Sequence, residues 1–93
     1  MSWEEFVERY TVYCEEFCFK YRDYVFTLNY SPDGTQFMCY VSLYTEQRTL
    51  LQWIRNRGEY IECKAFPSPQ SLLEGFVFDG KHLKTLWMEL EWR

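Results

Sequence analysis

Histidine occurs once in the chain, glycine four times and proline three times, and no run of about 18 apolar residues exists to cross a bilayer. The lone His82 has no partner nearby in sequence, so an acid–base pair is not written into any local motif. Gly34, Gly58, Gly75 and Gly80 stand apart from one another, which excludes a glycine-rich phosphate cradle. Basic residues are also short, 10 against 14 acids, too few for the cationic stripe that sequence-independent nucleic-acid binding needs. The start of the chain carries Glu4, Glu5 and Glu8 where a secretory signal would place a basic flank and an apolar stretch. The reading is therefore a soluble, cytoplasmic protein with no membrane segment and no nucleic-acid partner.

What the chain has in excess is aromatic surface. Trp, Tyr and Phe make up 22% of 93 residues, more than a single core of this size hides completely, while the charged and apolar fractions are ordinary for one globular domain. The formal net charge of -4 resides in residues 1 to 16, where Glu4, Glu5, Glu8, Glu15 and Glu16 face Arg9 alone. A solvated helix face accounts for this cluster; Glu4, Glu8 and Glu15 form the acidic face offered to a basic partner in the alternative reading.

Ser2 followed by Glu5 has the form of a capping box, and apolar residues at Trp3, Phe6, Val7, Tyr10, Cys14, Phe17, Cys18 and Tyr21 recur at helical spacing. This predicts a helix over residues 3 to 21, with Cys14 and Cys18 buried on its apolar side. From Asp23 the period becomes two, and the runs around Tyr24–Tyr30 and Phe37–Leu43 flank Ser31-Pro32-Asp33-Gly34, a β-hairpin pattern. Two registers compete. Apolar matching pairs Tyr30 with Phe37 and Phe26 with Val41, whereas Pro-Asp-Gly favours a three-residue loop with Gly34 left-handed, shifting every pair by one. Turn chemistry is preferred, which would group Tyr24, Phe26, Tyr40 and Tyr44 on one face.

Residues 45–58 read as a helix capped by Thr45 and closed by Gly58, with a third strand as the competing reading. Residues 59–66 read as a strand, and Ser68-Pro69 opens a helix reaching Gly75. Asp79-Gly80 is taken as a second helix start, leading through Leu83, Leu86, Trp87 and Leu90, with a terminal strand as the alternative end. The fold class is α+β: one domain, residues 1–93, a small antiparallel sheet packed on the N-terminal helix and a C-terminal helical segment.

Candidate chemistry is sparse. Cys14, Cys18, Cys39 and Cys63 lack a C-x-x-C pair and read as reduced, mostly buried thiols, with a four-cysteine metal site as the alternative. Cys63 and His82 would form a thiol–base pair only if the fold joined them. The expectation is thus no enzyme and no cofactor; a small enzyme or metal-binding module remains the alternative class. Trp3, Trp53 and Trp87 fall on apolar stripes and read as core, leaving Tyr40, Tyr44, Tyr60 and Trp92 as candidate surface aromatics for a protein partner or a homodimer.

The run Phe66-Pro67-Ser68-Pro69, Leu72-Leu73, Phe76-Val77-Phe78-Asp79-Gly80-Lys81, Leu83 and Leu86-Trp87 resembles a block in small uncharacterised proteins of gut Firmicutes. The resemblance is confined to the C-terminal third. It implies a bacterial, intracellular origin on a mobile element and brings neither catalytic residues nor a function; the function read beside it is a non-enzymatic interaction module, an accessory or inhibitory protein of such an element.

Overall fold

The computed structural model describes residues 1–55 and 59–91. Its first element, α1 (Trp3–Thr11), begins where expected: the Ser2 hydroxyl accepts a hydrogen bond from the Glu5 N–H at 3.1 Å. It ends ten residues sooner than the periodicity predicts. Cys14 adopts φ +56°, outside helical space, and residues Phe17–Tyr21 form strand β1. Helical spacing at positions 14, 17, 18 and 21 concealed an alternation, because Phe17, Phe19 and Tyr21 are all buried and line one side of an extended chain. The expected i,i+4 helix geometry of Cys14 and Cys18 is thereby lost.

A two-residue turn at Arg22-Asp23 leads into β2 (Tyr24–Tyr30), and β3 (Phe37–Leu43) and β4 (Glu62–Phe66) complete an antiparallel sheet of order β1-β2-β3-β4. The central hairpin takes the register of apolar matching: Tyr30 faces Phe37, Leu28 faces Cys39, Phe26 faces Val41 and Tyr24 faces Leu43. The preference for turn chemistry is corrected here. Gly34 is left-handed, at φ +73°, yet the loop has an even number of residues and Ser31 N–H reaches the Gln36 carbonyl at 3.0 Å. A one-residue slip would have kept Phe26 and Leu28 on the core side while turning Cys39 and Val41 to the opposite face. Fully burying a large apolar side chain is worth about 1.5–3 kcal/mol, more than a local turn preference can oppose.

On one face of the sheet lie α1, α3 (Pro69–Gly75), α4 (Leu83–Trp87) and the short hairpin β5 (Val77–Phe78) and β6 (Lys81–His82). Between them is the main core, with Phe6, Tyr10, Phe19, Phe26, Leu28, Leu72, Phe76, Leu83, Leu86 and Trp87 fully or almost fully buried. Ser68 caps α3 with Pro69 at its first position, as expected. Asp79-Gly80 is not a helix start. Asp79 at φ +54° and Gly80 at φ +72° form the two-residue turn of the β5–β6 hairpin, the positive-φ pair that an Asp-Gly turn supplies most cheaply, and α4 follows from His82. Tyr21 Oη donates to Asp79 at 3.0 Å and Lys81 pairs with Glu89 at 2.7 Å, tying this hairpin to the sheet and to the chain beyond α4.

The opposite face is covered by the excursion between β3 and β4. It contains α2 (Leu50–Ile54), which Thr49 rather than Thr45 caps: Thr49 Oγ1 accepts from Gln52 N–H and the Gln52 amide accepts from Thr49 N–H. The helix reading of this stretch holds, in shorter form; Arg57 and Gly58, its expected end, lie outside the described residues. Trp53 is buried against Cys18 and Val25, and Asn29 Nδ2 donates to the Ile54 carbonyl at 2.9 Å.

β4 is a sheet edge of particular construction. Glu62 stands opposite Val41 while the Ile61 N–H also reaches the Val41 carbonyl at 2.8 Å, so two residues meet one, the count of a β-bulge. Lys64 turns its ammonium toward the helical side, donating to the Val77 carbonyl at 2.9 Å above the Phe76 ring, and Pro67 ends the strand.

Candidate functional site

The four nominated aromatics do not share one surface. Tyr40 is 4% exposed, on the α2 side of the sheet, and its ring packs on Tyr60 with centroids 5.1 Å apart. Its expected surface position is corrected: in the observed register Tyr40 stands in a row with Thr27 and Cys63, roofed by the excursion. Tyr44 is half-buried, stacked on Trp53 and covered by the Lys20 ammonium at 4.8 Å. Tyr60 is 45% exposed and is the nominated aromatic that faces solvent most among the described residues. Trp92 lies outside them. Tyr24 and Phe26, grouped with Tyr40 and Tyr44 in the shifted register, occupy the other face against Phe78.

The thiols separate by element. Cys18 and Cys39 are buried and Cys63 half-buried, whereas Cys14 is exposed, contrary to the expectation drawn from a long helix. Burial pushes the Cys18 thiol up to about 12, against the opposing Thr27 hydroxyl, and pushes Cys39 and Cys63 upward as well. The sheet stands between Cys63 and His82. Cys63 shares the α2 side with Tyr40, and exposed His82 belongs to the hairpin on the helical side. Among the described residues no group of three or more His, Cys, Asp or Glu is arranged to hold a metal ion.

The acids of the N-terminal helix fall into two sets. Arg9 lies 3.5 Å from Glu5 and forms a two-pronged pair with Glu15, at 2.7 and 2.9 Å, which holds the Glu15 carboxyl below its ordinary range. Glu4 and Glu8 point away from this pair and are exposed, without a salt bridge among the described residues.

Next to that second flank lies a feature that sequence alone did not single out. Between α1 and α3 a hollow of about 460 Å³ is lined by Trp3, Val7, Thr11, Gln70, Leu73 and Glu74, with Lys84 at one end. On the other side of Trp3 a second hollow, about 380 Å³, runs over Trp87 between Glu4, Lys84 and Met88. Trp3 and Lys84 border both, so the two hollows adjoin on the helical layer and are taken together as its groove. Its apolar lining arises from the helix stripe itself: Trp3, which spacing places in the core, and Val7 of the same stripe sit at its margin and are only half-buried. Leu73 is the corresponding marginal residue of α3, one position after fully buried Leu72.

A third concavity, about 250 Å³, lies at the far end of the sheet between Leu43, Trp53, Tyr60 and Ile61, with the Arg48–Glu59 ion pair at its rim.

Fold and site together define a small α+β protein with a grooved helical layer, and among the described residues no helix is long and apolar enough to cross a membrane. Compared with known proteins, the chain matches no family model, no curated protein and no solved structure.

Proposed function

We propose that the chain is a non-enzymatic protein-interaction module of the cytoplasm whose contact face is the grooved helical layer. The observation that carries this reading is the pair of adjoining hollows that share Trp3 and Lys84. Half-buried Trp3, Val7 and Leu73 present apolar surface in a concave, helix-walled setting, and their volumes fall within the range of about 300–1,000 Å³ typical of binding pockets. Trp is also the residue type most often found at the energetic centre of a protein contact. A bacterial, intracellular origin, which the resemblance of the C-terminal third implies, is compatible with an accessory or inhibitory protein of a mobile element.

The test compares the wild-type chain with Val7→Glu/Leu73→Glu, both checked for fold by circular dichroism. Affinity capture from a bacterial host should recover a stoichiometric protein that the double variant loses. Retention of the same protein by the folded double variant would overturn the reading. Sedimentation at rising concentration shows in parallel whether a second copy takes the partner's place.

A further inference from the structure

We infer that the groove receives a basic amphipathic segment, whose apolar side chains enter the two hollows while its Lys or Arg side chains meet the acids along the rim. This rests on the interaction-module reading above and names its partner by chemistry.

The argument begins with the ridges of α1. Trp3, Val7 and Thr11 follow one another at i, i+4 and i+8 and form the groove wall. One position further round the helix are Glu4 and Glu8, so this wall is crested by two carboxylates, Glu4 itself bordering the second hollow. The facing wall, α3, contributes Leu73 to the floor and exposed Glu74 to the rim. Among the described residues the linings hold Glu4 and Glu74, with Glu8 beside them on α1, against one base, Lys84, which borders both hollows.

Charge distribution over the rest of α1 sharpens the point. Arg9 is taken up by Glu5 and Glu15 on the far flank, while Glu4, Glu8 and Glu74 have no ion-pair partner among the described residues. Acids thus outnumber the single lining base, Lys84, along the edge where an apolar ligand would seat. Such a rim raises the encounter rate of a cationic partner and repels anionic ones, phosphate backbones included. It also selects against a second copy of this chain. A two-fold contact through the same groove doubles the acids at the interface and supplies only the two Lys84 side chains against them.

The probe is a synthetic helix of about five turns built from Leu and Lys at amphipathic spacing, with a Leu/Glu peptide as control. Binding is followed by fluorescence anisotropy and by amide and indole resonances of the protein. The Leu/Lys peptide should bind in the micromolar range and shift Trp3, Val7 and Leu73. Its affinity should fall about tenfold between low and physiological salt, as expected for exposed charge pairs. Glu4→Gln/Glu8→Gln/Glu74→Gln should weaken it about tenfold, and Val7→Glu/Leu73→Glu should displace it from the groove. Equal binding of the Leu/Glu peptide, unchanged affinity of the triple Gln variant, or shifts confined to another face would each overturn the inference. A host partner lost by Val7→Glu/Leu73→Glu, together with no groove binding by the Leu/Lys peptide, would overturn the basic segment while leaving the interaction module standing.

Discussion

The ring of Phe6 lies stacked on Trp87, centroids 4.8 Å apart and planes 25° from parallel, and this contact joins α1 to α4 at the centre of the helical layer. Phe17 and Phe19 of β1 meet the same Phe6 ring edge-on, at 4.9 and 5.2 Å. Phe6→Ala should therefore cost about 3–5 kcal/mol, a large share of the about 5–15 kcal/mol that holds a domain together. Chemical denaturation followed by tryptophan emission measures it. A loss below about 1 kcal/mol would mean that the ring cluster is not the keystone of the core.

Tyr10 carries the opposite lesson. Its ring is fully packed against Phe6 and Phe37, but its hydroxyl is buried without a hydrogen-bond partner among the described residues, and burial pushes its ionisation well above the usual tyrosine range. An unsatisfied buried polar group costs about 1–3 kcal/mol. Tyr10→Phe should raise stability by about 1 kcal/mol, read as an upward shift of the denaturant midpoint at unchanged slope.

Thiol reactivity should resolve the cysteines one by one. Exposed Cys14 should react with a thiol reagent in the native protein at mildly alkaline pH, Cys63 more slowly, and Cys18 and Cys39 only on unfolding. Mass spectrometry after timed quenching assigns each site. Native labelling of Cys39 ahead of Cys14 would contradict the placement of β1 and β3.

Acid should loosen the β2–β3 loop through Asp33. Its carboxylate accepts from the Ser31 hydroxyl at 2.6 Å and from the Thr35 hydroxyl and N–H at 2.8 and 3.1 Å, which lowers its pKa to about 2. A depressed folded-state value means that the stabilisation is complete above the unfolded value near 4 and is lost as pH falls through about 2. Asp33→Asn should accordingly be less stable than wild type at neutral pH, with the gap closing in that acid window. A gap that persists unchanged below pH 2 would show that the loop is held by other groups.

The same residues show how much could be read in advance. The α+β class, the Ser2 and Ser68 caps, the central hairpin and the burial of Trp53 and Trp87 follow from local rules, since each depends on neighbours within a few positions. The failures share a different cause. Phe17 to Tyr21 satisfied helical and strand periods together, and only pairing with β2 decided between them. Pro-Asp-Gly was outweighed by side chains up to nine residues away, and Asp79-Gly80 serves as hairpin turn because Phe78 reaches Tyr21, Tyr24 and Phe26 across the core. The groove was illegible for the same reason. Marginal residues of two helices, Val7 and Leu73, become a wall and a floor only once α1 and α3 lie side by side.

The construction of β4 bears on the protein's behaviour in a crowded cell. A chain with so many aromatic residues would be a ready template for cross-β stacking if its open strand were flat and apolar. Instead Ile61 and Glu62 both meet Val41 and break the ladder at its start, the inward-turned Lys64 places a charge on that strand, and Pro67 withholds a backbone donor just beyond it. The opposite margin of the sheet is engaged as well, by the Glu91 N–H on the Lys20 carbonyl at 2.8 Å. Both margins are thereby made less open to strand addition, which keeps aromatic contacts of one molecule from propagating into fibres.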